Sequence, residues 1–288
     1  MTAVSPQISS TFDMSRVVKR TLSVLGADLP TVGLLGLVFV AAPTGLLAWF
    51  QYRVMSESLS NNPAAAIGDG GAYLLAAVLV WVASAIAYAS AIKVAVGRLD
   101  GRPLGFAEAV ASGAPHCLMI MLINLLIGLA VILPLMLITG LGIALFARPG
   151  AGAAGVAIFM VLAVPAMLVV AIMMFIRWSA AIPARVAEGL GPAASMGRSA
   201  RLTKGHRWAI FGLIVALGLV VGLVEGTFLT LAGAPMDLLD PKKAGAVGAI
   251  LGPVLQLFTF PLTAVGIASI YAELRGDGSV LSTAEVFS

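Results

Sequence analysis

Hydrophobic positions along this chain gather into long runs separated by short polar interruptions. Six runs are long enough to cross a bilayer, which takes about 20 residues of helix. They lie at about 31–50, 72–96, 117–146, 156–175, 210–231 and 244–271. The third, Cys117 to Phe146, is too long for a straight crossing of ~30 Å at ~1.5 Å per residue. A tilt, or a break near Pro134 or Gly140, is expected there. The pattern predicts an all-α integral membrane protein, a single membrane domain over residues 1–288 with six transmembrane helices. Amphipathic interfacial helices are expected on its cytoplasmic side.

The polar stretches carry their own periodicity. Residues 1–10 read as a mobile tail. From Asp13 the pattern turns helical, with Met14, Val17, Val18, Thr21, Leu22 and Leu25 on one stripe and Arg16, Lys19 and Arg20 off it. Asp13 suits an N-cap and Gly26 a stop, so a separate helix is expected to lie in the membrane interface with its cations toward headgroups. Residues 51–71 read as a Gly-rich loop. A short helix is expected from Phe106, and Lys93 at the end of the second run can snorkel. The longest interruption, Arg177 to Trp208, predicts a helix over Pro192–Lys204, with Gly191 and Pro192 at its start and Gly205 as its stop. Arg198, Arg201 and Lys204 fall on one side, opposite Ala193, Met196, Ala200 and Thr203, and Arg207 lies just beyond. Three times, starting near Phe12, Phe106 and Pro192, the order is amphipathic helix, span, outer loop, span; this is an architectural repeat with little residue identity.

Composition sharpens the class. Of the 288 residues, 60% are hydrophobic and 10% charged, and mean hydropathy is +1.05, too little charge to cover a soluble domain. The net charge of +4 does not point to nucleic acid, because the basic residues sit beside spans. Counted by side, 13 Lys and Arg fall in the segments that share a side with the termini and 4 on the other. Cations are retained on the cytoplasmic side, which places both termini there. The Ala-, Gly- and Val-rich composition suits a bacterial plasma membrane. No cleavable leader is read in residues 1–30, so the first span is expected to target the chain.

Candidate chemistry is sparse. Gly218, Gly222 and Gly226 recur every four residues in the fifth span, and Gly248 and Gly252 in the sixth, a spacing that lets helices pack closely and is read as contact within the chain, with a dimer interface as the alternative. Glu225 is the one ionisable group well inside a span. With Asn124 and Gln256 it could line an intramembrane polar site, or it could reach interfacial water or bond a hydroxyl such as Thr230. His116 and His206 precede spans without companion ligands, and the single Cys117 reads as a small buried hydrophobe. No catalytic, cofactor-binding or metal constellation is identified. Arg198, Arg201, Lys204 and Arg207 read as a topology signal, as an anionic-lipid or phosphate site, or as both at once.

The segment holding Glu188, Gly189, Gly191, Pro192, Arg198, Ser199, Leu202, Thr203, Lys204, Gly205 and Trp208 resembles a pattern in the glycerophosphoryl diester phosphodiesterase membrane domain family and related six-span bacterial membrane proteins of unknown function. The closing IASIYAELR, with Tyr271, Glu273, Leu274 and Arg275, and the opening TFDMSRVVKRTLSVL are similar to that family's ends. The resemblance implies a membrane unit that precedes a soluble phosphodiesterase barrel in some relatives. No barrel segment follows Tyr271 here, so no enzymatic activity is expected. The expected function is a non-enzymatic membrane module, lipid- or envelope-associated, with membrane lipids as partners, anionic phospholipid among them. The alternative is a carrier or channel for a small polar or lipid-like solute, and an intramembrane enzyme comes third. No oligomeric state follows from the sequence.

Overall fold

The computed structural model describes residues 12–59, 63–146, 152–231 and 241–276. Its long helices are α1 (Met14–Gly36), α2 (Ala42–Leu59), α3 (Pro63–Leu99), α5 (Cys117–Phe146), α6 (Gly152–Trp178), α9 (Arg207–Leu231) and α10 (Pro241–Leu274). Shorter ones are α4 (Phe106–Gly113), α7 (Ala181–Glu188) and α8 (Pro192–Leu202). Six stretches are long and apolar enough to cross a membrane: Met14–Met55, Ile67–Leu99, Phe106–Gly140, Pro165–Glu188, Arg207–Leu231 and Ile250–Leu274. The chain is an all-α membrane protein of six spans, in the order the sequence predicts.

At the centre stands α3. Its stretch from Ala83 to Ala95 is mostly Ala and Ser, and Ala85, Ala87, Ala89, Ser90, Ala91, Val94 and Ala95 are nearly fully buried. Alanine on every side of a helix lets neighbours approach from every side, and lipid provides no hydrophobic drive to do the same work. Helices α1, α4 and α10 and the end of α7 pack on this waist, contributing Val24, Val32, Leu35, Ala109, Val186, Phe260 and Ala264 to one core. Helices α1–α2 and α10 run antiparallel along each other: Arg16 meets Glu273, Gly36 faces Phe260 and Gly45 faces Pro253. Helices α5, α6 and α9 line the periphery with exposed apolar side chains such as Leu118, Leu137, Leu168, Leu219 and Leu223.

The N-terminal helix departs from expectation. It does not stop at Gly26 but continues through Pro30 and a wide turn, Leu37–Ala41, into α2 as one rod. Gly26 does not adopt the left-handed conformation a stop requires, which among the described residues is found at Gly101, Gly189, Gly205 and Gly276. In the wide turn the Ala42 N–H bonds back to Leu37 O, five residues earlier. Pro43 follows at once. Its ring crowds the carbonyl four residues back, that of Phe39, and the loosened turn makes room for it. The apolar stripe is also rotated from the expected one: Val17, Thr21, Val24, Asp28, Val32 and Leu35 are buried, whereas Met14, Val18 and Leu22 face outward. The helix is thus a wall of the bundle.

The loop read at 51–71 is mostly helix, since α2 runs to Leu59 and α3 starts at Pro63, with Arg53 and Asp69 paired at 3.1 Å across the hairpin. The long α5 continues past Pro134 and Gly140 without a break. In the second and third repeats the short helix is set off by a turn (Ala114–His116, and Thr203 to His206 with Gly205 at φ +91°), while in the first it is fused to the span. The predicted tail 1–10 lies outside the described residues.

The packing glycines are corrected. A Cβ on Gly218, Gly222, Gly226 or Gly252 would meet nothing within 4 Å, so these positions face away from neighbouring helices; the surroundings of Gly248 lie outside the description. Small residues spaced by four permit a close approach without dictating which helix takes it. The close approaches are made by others. A Cβ on Gly36 would sit 2.9 Å from the Phe260 ring, one on Gly45 3.3 Å from Pro253, and one on Gly113 would overlap Ser90 of α3. Replacing Gly113 by Ala should therefore force α4 off α3 and destabilise the fold by ~1–3 kcal/mol. Gly222→Leu should change nothing comparable. Thermal unfolding of the two variants in detergent checks both.

Candidate functional site

Charge concentrates at the end of the bundle where α1 begins and α3 and α10 finish. Asp28, nearly buried on α1, accepts a two-pronged hydrogen bond from Arg98 near the end of α3, with Nε to Oδ2 at 2.6 Å. The fork geometry of arginine matches a carboxylate and fixes the relative orientation of the two helices. One helical layer away, Glu273 on α10 takes Arg16 and Arg20 of α1, each at 3.0 Å. Its side chain is only 4% exposed, so two cations in place of one offset the cost of burying it. Asp100, in the turn after α3, pairs with Arg275 at 3.3 Å. At the head of α1 the Asp13 carboxylate caps the helix, and its hydrogen bond from the Ser15 hydroxyl, aided by the Arg16 amide, lowers its pKa.

The segment between α6 and α9 is fastened to this end by polar contacts. Helix α7 closes on Gly189 in the left-handed conformation (φ +70°), and Arg185 donates to the carbonyls of Gly189 and Leu190 at 2.6 and 2.7 Å. Gly191 and Pro192 open α8, as the sequence indicates. Glu188 then holds two partners: Arg198 Nε at 3.1 Å and the Tyr271 hydroxyl of α10, which donates at 2.7 Å. Two stretches singled out in the sequence, 83 positions apart, therefore meet in one hydrogen-bonded junction.

The buried face of α8 is polar where a weakly apolar one was expected. Ser195, Ser199 and Thr203, spaced by four, are fully buried. Ser199 accepts from the Ala180 N–H at 3.1 Å and donates to Arg177 O at 2.9 Å, so one hydroxyl satisfies the last turn of α6 and the first of α7. Thr203 adds a longer bond to the same carbonyl. Sequence reasoning passed over Asp28, Glu273 and this hydroxyl stripe as partners. Their signal was positional, since Asp28 continues the spacing Val17, Thr21, Val24, and the three hydroxyls repeat at one helical turn.

The four basic side chains that the sequence groups together are divided by the structure. Arg198 is engaged by Glu188, whereas Arg201 and Lys204 are exposed. Lys204 and Arg207 line a cleft of about 600 Å³ between α6 and α9, walled by Val169, Ile172, Met173, Ile176 and Phe211. Arg207 Nε is enclosed there with no hydrogen-bond partner among the described residues. Trp208 is 85% exposed at the same rim and stands edge-on to Phe211. The result is an apolar slot with a cationic mouth.

The intramembrane polar residues are not assembled. Asn124 is exposed on α5, while Glu225 and Gln256 are half-buried on α9 and α10; no hydrogen bond joins the three, and none lines a cavity described here. The Thr230 hydroxyl bonds to Gly226 O of its own helix. His206 packs against the Phe12 ring at 5.9 Å, and half-buried Cys117 lies 3.6 Å from Val82 O. No protein-family model, curated protein or solved structure matches this chain.

Ser199→Ala should leave the buried Ala180 N–H unpaired and Arg177 O with only the longer Thr203 bond, a loss of ~1–3 kcal/mol. Reduced thermal stability in detergent, together with faster proteolysis between α6 and α9, is the expected readout.

Proposed function

We propose that the protein is a non-enzymatic membrane module of a bacterial plasma membrane that holds anionic phospholipid at its cytoplasmic end, in the cleft between α6 and α9. One observation carries this reading: the cleft joins an aliphatic and aromatic wall to Lys204 and Arg207 at its mouth, the complement of an acyl chain and a phosphate. Exposed Trp208 at the rim has the amphipathic ring that favours the headgroup layer. Basic groups near an anionic leaflet contribute about 1 kcal/mol each. Arg201 adds a further exposed cation on the turn before. Kinship with the glycerophosphoryl diester phosphodiesterase membrane domain family is part of the same proposal and rests on the motif residues from Glu188 to Trp208 and from Tyr271 to Arg275.

Neutralising Arg201, Lys204 and Arg207 together to Gln should reduce co-purified phosphatidylglycerol and cardiolipin about tenfold or more in native mass spectra. Arg198 is left intact in this variant because it braces Glu188. Undiminished lipid in a folded triple variant would remove the cleft from consideration.

Orientation follows from the charge asymmetry and has its own test. In a Cys117→Ser background, a cysteine at exposed Gly68 should react with an impermeant thiol reagent on intact cells. One at exposed Ala194 should react only after permeabilisation. The opposite labelling would invert the topology.

A further inference from the structure

A second cavity, of about 530 Å³, opens beside α7 and shares no lining residue with the α6–α9 cleft. Lys93, Val96, Gly97 and Asp100 of α3 and its following turn, Arg102 and Leu104, Val186 and Ala187 of α7, and Arg275 form its lining. It is built by a sharp reversal. After α3 ends, Gly101 takes φ +74° and the Arg102 N–H returns to Gly97 O at 2.7 Å. A Cβ at Gly97 would lie 2.6 Å from the Arg102 carbonyl, so only glycine lets the turn fold this far back. The reversal brings Arg102 to the cavity that Lys93, one helical turn before Gly97, also lines.

The charges here do not balance. Asp100 is the one carboxylate in the lining, and it is paired with Arg275 at 3.3 Å. The side chains of Lys93 and Arg102 make no ion pair or hydrogen bond with any described residue. Lys93 is half-buried, and a partly desolvated ammonium with no counter-charge favours an anion beside it. Arginine adds a planar fork that fits two phosphate oxygens, and lysine a mobile point charge. The volume is that of a small-molecule site and exceeds what a bare phosphate needs.

We propose that this cavity binds a phosphate monoester or phosphodiester group, with Arg102 as the two-pronged donor and Lys93 as the point charge. The site is distinct from the α6–α9 cleft and does not depend on the lipid reading. The phosphate could belong to a water-soluble ester or to a lipid headgroup, and two probes separate these sources. Glycerol 3-phosphate is titrated calorimetrically into the full-length protein in uncharged detergent, with sodium chloride of matched ionic strength as control. Short-chain phosphatidic acid is titrated in the same detergent and read by native mass spectrometry.

Saturable binding of either probe, weakened about tenfold by Arg102→Gln and by Lys93→Met but unchanged by Lys204→Gln, supports the site and names the source. Arg102 lies in an exposed turn, so its variant carries the test even where Lys93→Met does not fold. Absence of saturable binding for both probes, or binding indifferent to Arg102→Gln, overturns the proposal. Loss through Lys204→Gln with Arg102→Gln silent assigns the phosphate to the other cleft and overturns it equally.

Discussion

Everything in this bundle depends on how closely helices can approach α3. Within a bilayer, lipid tails solvate a leucine as well as another leucine does, so association rests on packing and on polar contacts between helices. A helix that is alanine on nearly every face supplies the first. The approach it allows then brings α1 within reach of Arg98 and α10 within reach of α1. The polar contacts at the charged end are therefore consequences of the waist: Asp28 reaches Arg98 because Val24, Val32 and Leu35 on the same face are packed against the same core.

This also explains why the bundle has two kinds of surface. Around α3 small residues concentrate and burial is nearly complete, whereas α5, α6 and α9 present large aliphatic side chains outward. The periphery suits contact with acyl chains. The charged end suits contact with water and headgroups, and there the carboxylates are largely committed to structural pairs. The unpaired charged side chains that line the two separate recesses are positive, Lys93 and Arg102 in one and Lys204 and Arg207 in the other. An excess of that sign at one end would serve both the proposed orientation and the proposed anion recognition, since both draw on the same electrostatics.

Much of the fold was legible in the chain. The six spans, the short helix at Phe106 and the α8 boundaries set by Gly191, Pro192 and Gly205 all follow from local signals: hydrophobic length, a proline at the first turn, a left-handed glycine. The misreadings share one physical origin. Local pattern marks Gly26 as a stop and the α9 glycines as contacts, but whether a glycine ends a helix or seats another depends on neighbours distant in sequence. The same holds for the site. Glu188 and Tyr271 each stood out, yet nothing local to either says that one bonds the other, and Ser199 resembles any helical serine until its two backbone partners are in place. Cation clustering was visible; which cations were already spoken for was not.

The wide turn at Leu37–Ala41 has one more consequence. Opening a helix by a residue advances its angular phase by about 100° relative to an unbroken helix. The upstream half of the α1–α2 rod is therefore clocked against the downstream half. That setting points Asp28 at Arg98 and Arg16 and Arg20 at Glu273, while Gly45 still faces Pro253. Pro43 keeps the turn open, so a residue in the membrane sets the angular register of the ion pairs many ångströms away. Loss of a single residue within that turn would leave a regular helix of nearly the same length whose charged face looks the wrong way.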